Sequence, residues 1–186
     1  MREEYWYYAF WLLVVGSWVL GVAYGKWCGG YGGLLLDLGQ AVSVPQPGRL
    51  ELWQPIVYFT LTVVATFVLS QLFFGAGAAV FLFTRGISDS GLISNMEAMV
   101  SNWKLASIQP GELWAIFFIM LALAVNLPLC LWSAHIGTQR ATRMLYRLRG
   151  KATKPLARHE TVVNLITIIA ISLVVGLLAT LALSYT

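Results

Sequence analysis

Four runs of about 20 predominantly apolar residues divide this chain, at 5–24, 54–74, 113–134 and 162–183. A helix of that length, rising ~1.5 Å per residue, matches the ~30 Å hydrocarbon core of a bilayer. Hydrocarbon offers no hydrogen bonds, so each run must satisfy its backbone internally, which for a single segment means an α-helix. Composition excludes the soluble alternative. The chain is 59% hydrophobic and only 11% charged, where globular chains carry about 25% charged residues, and its mean hydropathy is +0.74. Tyr5, Trp6, Tyr7, Tyr8 and Trp11 crowd the start of the first run, where amphipathic rings favour the membrane interface.

The second run does not stop cleanly. From 54 to 84 the sequence stays largely apolar for 31 residues, about 46 Å as one helix, too long for a single untilted span. Gly75-Ala76-Gly77-Ala78-Ala79 marks the natural break, and small residues there let the chain turn back. The expected fold is therefore an all-α, polytopic transmembrane helix bundle of about five membrane elements: four clear spans plus a hairpin or re-entrant segment at 76–95. The chain reads as one membrane domain over 1–186. The first run is expected to be retained, because Glu3 and Glu4 weaken the positive region that a cleaved signal needs.

Basic residues set the expected orientation. Arg140, Arg143, Arg147, Arg149, Lys151, Lys154 and Arg158 hold seven of the twelve positive charges within 135–161, against one acidic residue, Glu160. This loop should face the cytoplasm. Five elements then put the N-terminus in the cytoplasm and the C-terminus outside, with 25–53 an irregular outer loop; four would put both ends outside. Arg140, Arg143 and Arg147 recur at helical spacing opposite Ala141, Met144, Leu145 and Leu148. An amphipathic basic helix continuing from the membrane is expected, suited together with Arg149, Lys151 and Lys154 to anionic headgroups. The plainer alternative is the ordinary positive-inside signal. Nucleic acid is not an expected partner, since no recognition module accompanies the charge.

Within the spans, Gly21 and Gly25, extended backward by Ser17, form a small-xxx-small face that admits a neighbouring backbone. Gly75 and Gly77 are expected to serve turning or packing. Neither Gly29-Gly30-Tyr31-Gly32-Gly33 nor Gly75-Ala76-Gly77 has the Gly-Lys-Ser/Thr ending of a phosphate loop. Arg85 and Asp89 lie four apart on one helical face, and ionisable residues at membrane depth are costly unless paired or hydrated. They read either as part of a water-filled path or, more plainly, as an interfacial pair whose ends snorkel to the headgroups. Asn126 and Pro128 predict a kink whose freed carbonyl needs a partner. Cys28 and Cys130 are expected as free thiols. Two cysteines and two histidines, His135 and His159, make no metal-ligand spacing. Neither Ser133-His135 nor Arg158-His159-Glu160 assembles a nucleophile with its base, so no catalytic residue, metal or cofactor is expected.

The layout resembles the compact, stand-alone members of the stage II sporulation protein M family. The resemblance is carried by the N-terminal helix Leu12-Leu13-Val14-Val15-Gly16-Ser17-Trp18-Val19-Leu20-Gly21, by an outer loop, and by the helix pair 57–74 and Gly75-Ala76-Gly77-Ala78-Ala79-Val80-Phe81-Leu82-Phe83-Thr84-Arg85-Gly86. Arg85-Gly86 stands where members tend to have Asn-Gly. Gln109-Pro110-Gly111-Glu112 is a partial counterpart of their Pro-His-Gly and acidic motif, without the histidine. The resemblance implies a non-enzymatic membrane scaffold or accessory subunit of a larger envelope complex, working with other membrane subunits or as a homo-oligomer. The rival expectation is a small oligomeric channel or transporter with a polar path near Arg85, Asp89 and Asn126.

Overall fold

The computed structural model describes residues 2–28, 53–101, 110–148 and 158–184. All regular structure in these residues is helical: α1 (Arg2–Trp27), α2 (Gln54–Gln71), α3 (Ala76–Ser101), α4 (Pro110–Leu121), α5 (Leu127–Leu148) and α6 (Arg158–Ser184). A π-helical turn at Ala122–Asn126 joins α4 to α5, so these two form one continuous rod and the bundle has five helices. Among the described residues four segments are long and apolar enough to cross a membrane: Tyr8–Trp27, Gln54–Gln71, Ile116–Leu148 and Thr161–Ala182. The chain is a multi-pass membrane protein by this measure. Pro55 sits in the first turn of α2, where a missing N–H costs no hydrogen bond.

The break after α2 is sharp. Leu72–Gly75 tightens into a 3₁₀ turn, and Phe74 (φ 55°) and Gly75 (φ 100°) both adopt positive φ. Gly75 does so without a Cβ penalty, and the helix stops there and restarts at Ala76 in a new direction. Residues 54–84 are therefore two helices packed on one another, and α3 runs six residues beyond the expected end at 95.

Contacts fix how the helices alternate. At one end of the bundle, Phe10 and Trp11 of α1 meet His135 of α5 at ring separations of 5.6 and 5.5 Å, and Gly75 lies against Thr138 and Phe10. At the other, Lys26 of α1 pairs with Glu97 of α3 at 2.7 Å, and Trp114 of α4 donates its indole N–H to the carbonyl of Ala179 in α6 at 3.1 Å. Successive helices thus run up and down the bundle, with α1 and α3 parallel, and the start of α1 and the end of α6 lie at opposite ends.

Two apolar clusters fill the interior. One joins Val14, Val63, Phe67, Leu82, Leu129, Cys130 and Ile168; the other joins Tyr58, Phe59, Trp114, Phe118, Ala122 and Val175. Outward faces remain apolar: Leu12, Leu61, Val80, Ile166 and Leu177 are all exposed, as lipid rather than water requires. The first part of the basic tract, to Leu148, is helical, as the helical spacing of Arg140, Arg143 and Arg147 predicts.

Candidate functional site

Among the described residues the buried charges are Arg85 and Asp89, one turn apart on α3. Both side chains are 0% exposed. The expectation of an interfacial pair snorkelling to headgroups fails, because α3 passes through the interior and turns this face inward, onto α1, α2 and the α4–α5 rod. Arg85 Nε donates to Asp89 Oδ2 at 3.4 Å, and the Trp18 indole of α1 donates to the same oxygen at 2.8 Å. The two remaining guanidinium nitrogens reach the rod: Nη1 donates to Cys130 Sγ at 3.0 Å and Nη2 to the carbonyl of Ala122 at 3.2 Å.

Ala122 belongs to the π turn, where its carbonyl also accepts the backbone N–H of Leu127. Where a kink was expected at Asn126 and Pro128, the rod carries a π turn just before the proline. Pro128 has no N–H to continue the α ladder, and π turns recur where such a ladder is interrupted. The buried Ala122 carbonyl thus accepts two hydrogen bonds, one from the turn itself and one from the Arg85 guanidinium. Asn126, the last residue of the turn, is fully buried. Its amide nitrogen donates to Thr62 Oγ1 at 3.0 Å, and its carbonyl oxygen accepts from Cys130 Sγ at 3.7 Å. Thr62 Oγ1 in turn donates to the carbonyl of Tyr58 at 2.9 Å. A polar chain therefore runs Trp18, Asp89, Arg85, Cys130, Asn126, Thr62 and ties α1, α2, α3 and the rod together.

The structure brings Arg85, Asp89 and Asn126 into one network, as their expected depth in the bilayer suggested. It adds Trp18, Thr62 and Cys130, which hydropathy counts as apolar or neutral. No spacing in the sequence announces them, since the Trp18–Asp89 and Arg85–Cys130 bonds link residues 71 and 45 apart.

The helix-packing residues lie on one side of this site. A Cβ on Gly21 would collide with the carbonyl oxygen of Phe83, and one on Gly86 with that of Trp18. Gly25 sits against Ser90 in the same way. The α1 and α3 backbones therefore touch at Gly21 and Gly86, and this approach is what carries Trp18 to Asp89. Ser17, half-buried one turn before Gly21, donates its hydroxyl to the carbonyl of Leu13 in its own helix at 2.7 Å. Gly75 makes the turn, and Gly77 backs onto the carbonyl of Leu69.

The basic residues form a separate region. Arg140 and Arg147 are exposed and Arg143 half-buried on the last turns of α5, next to exposed Met144, Tyr146 and Leu148. Arg149, Lys151, Lys154 and the outer loop beyond Cys28 lie outside the described residues. Both cysteines are free thiols. Among the described residues no group of three or more His, Cys, Asp or Glu side chains gathers to hold a metal. Comparison of the chain with models of known protein families, with curated proteins and with solved structures finds no match.

Proposed function

We propose that this chain is a non-enzymatic membrane scaffold or accessory subunit, in which the buried polar network holds the bundle together rather than conducting anything through it. The observation that supports this reading is the complete burial of Arg85 and Asp89, each at 0% exposure, with every described bond of the pair made to side chains or backbone of this same chain. An ion path needs charged groups that meet water or a permeant species. These groups instead bind α1, α3 and the α4–α5 rod to one another. The resemblance of the helix order to the stage II sporulation protein M family supports the same role.

In this reading α3 is the fifth crossing. Its modest hydropathy comes from Thr84, Arg85, Asp89 and Ser90, all of which point inward. The N-terminus then lies in the cytoplasm beside the basic end of α5, the C-terminus lies outside, and Arg140, Arg143 and Arg147 meet anionic headgroups. The partners are other membrane subunits or further copies of the chain.

The test is reconstitution of the full chain in sealed liposomes under imposed ion and solute gradients. Dissipation no faster than in protein-free vesicles is expected. Flux that scales with protein content and changes with Asn126→Leu would instead establish the channel or transporter reading.

A further inference from the structure

Hydrogen bonding at the centre of the bundle does not close within the chain. A guanidinium carries five N–H donors; Arg85 uses three, on Asp89, Cys130 and Ala122, which leaves two. Asp89 Oδ2 accepts from both Trp18 and Arg85, while Oδ1, equally buried, has no partner. The hydroxyl of Tyr58 is likewise buried without a partner. Its ring packs against Phe59 and Phe118, at centroid separations of 5.5 and 5.8 Å. Tyr58 packs in one cluster with Ala122, whose carbonyl accepts from Arg85 Nη2, so the Tyr58 side chain borders the part of the core that the guanidinium enters. Buried polar atoms in native proteins are almost always satisfied, by protein or by ordered water, and an unsatisfied one is most costly where the dielectric is low.

What completes such a site must both donate, to Asp89 Oδ1, and accept, from Tyr58 O–H and Arg85 N–H. A cation would face the guanidinium and an anion the carboxylate, so the occupant is neutral and small. We propose that the core binds one internal water molecule, seated between Asp89 Oδ1, the Tyr58 hydroxyl and a spare N–H of Arg85. Internal waters characteristically bridge two to four groups of this kind. The water gives the carboxylate its third hydrogen bond and extends the polar chain to the Tyr58 hydroxyl on α2. The inference rests on the closed core that supports the scaffold reading, but its test reads hydration and not flux, so either can fail alone.

The test uses the full isotope-labelled chain in lipid bilayers, with magic-angle-spinning NMR and transfer of magnetisation from water to protein. Transfer to the Arg85 guanidinium is expected, with the Asp89 side-chain carbon at a carboxylate position. In Tyr58→Phe, the transfer to Arg85 should fall several-fold, while the Trp18 indole N–H keeps its hydrogen-bonded position and so reports an intact fold. Absent transfer to Arg85 in the parent chain, under conditions where Lys26 at the bundle end shows it, would overturn the proposal. So would a protonated Asp89 carboxyl without transfer, since a proton would then replace the water. Undiminished transfer in Tyr58→Phe would remove the seat as drawn.

Discussion

Trp18 donates its indole N–H to Asp89 Oδ2 at 2.8 Å, and the same oxygen accepts from Arg85 Nε. One carboxylate oxygen thus fastens the N-terminal helix to the charged centre of the bundle. α1 needs such a fastening because it is the least buried of the four apolar segments and packs chiefly on α3.

Asp89→Ala removes the counter-charge of a buried guanidinium and the acceptor of Trp18 together. Breaking one side of a buried pair typically costs about 3–5 kcal/mol. Thermal unfolding in mild detergent should show a large loss of stability. A melting temperature equal to the parent's would mean that Arg85 finds water, and that the core is open.

Glu97→Gln serves as the contrast. Lys26 and Glu97 also form an ion pair, at 2.7 Å, but their side chains are 37% and 63% exposed. Exposed pairs contribute about 0–1 kcal/mol. This variant should melt close to the parent, and a loss as large as that of Asp89→Ala would contradict the distinction drawn between the two pairs.

Gly21→Leu should disrupt the α1–α3 crossing, because any Cβ there meets the backbone of Phe83 and Gly86. Gly16→Leu, five residues earlier in the same helix, has nothing within 4 Å of its Cβ position and should be tolerated. Size-exclusion profiles after graded heating would compare the two. Equal behaviour would show that helix propensity rather than packing governs both.

Gly75→Ala places a side chain at φ 100°, in a region that non-glycine residues rarely adopt, and sets its Cβ 3.0 Å from Thr138 Oγ1. A cost of about 1–3 kcal/mol is expected from backbone strain alone. Chemical denaturation of the purified protein would measure it; an unchanged midpoint would mean that the turn relaxes freely to another conformation.

A cysteine introduced at Lys151, in a Cys28→Ser background, should resist an impermeant thiol reagent in intact cells and react after permeabilisation. The expectation follows from the seven positive charges in 135–161. Reaction in intact cells would invert the orientation of the whole bundle.

Much of this architecture was legible in the chain. Apolar runs of membrane-spanning length dictate helices, because an unsatisfied backbone in hydrocarbon costs more than any side-chain preference can recover. The excess length of 54–84 and its small residues located the turn at Gly75, and the pattern of Arg140, Arg143 and Arg147 identified the helix that continues to Leu148. Gly21 and Gly25 marked a face without bulk. The polar character of α3 was also visible, but hydropathy sums over all faces of a helix and so scores Arg85, Asp89 and Ser90 as if lipid had to accept them.

Only the tertiary structure decided where that polar face points and what meets it. Trp18, Tyr58 and Cys130 are apolar by composition, and their polar atoms gain meaning only when α1, α2 and the rod converge on α3. The Ala122 carbonyl has no side-chain signal at all; it becomes available to Arg85 because the π turn before Pro128 presents it. Backbone satisfaction and burial act along a single segment and can be read from it. A hydrogen bond between residues 71 apart depends instead on how closely two backbones approach at Gly21 and Gly86, a distance set by the packing of the whole bundle.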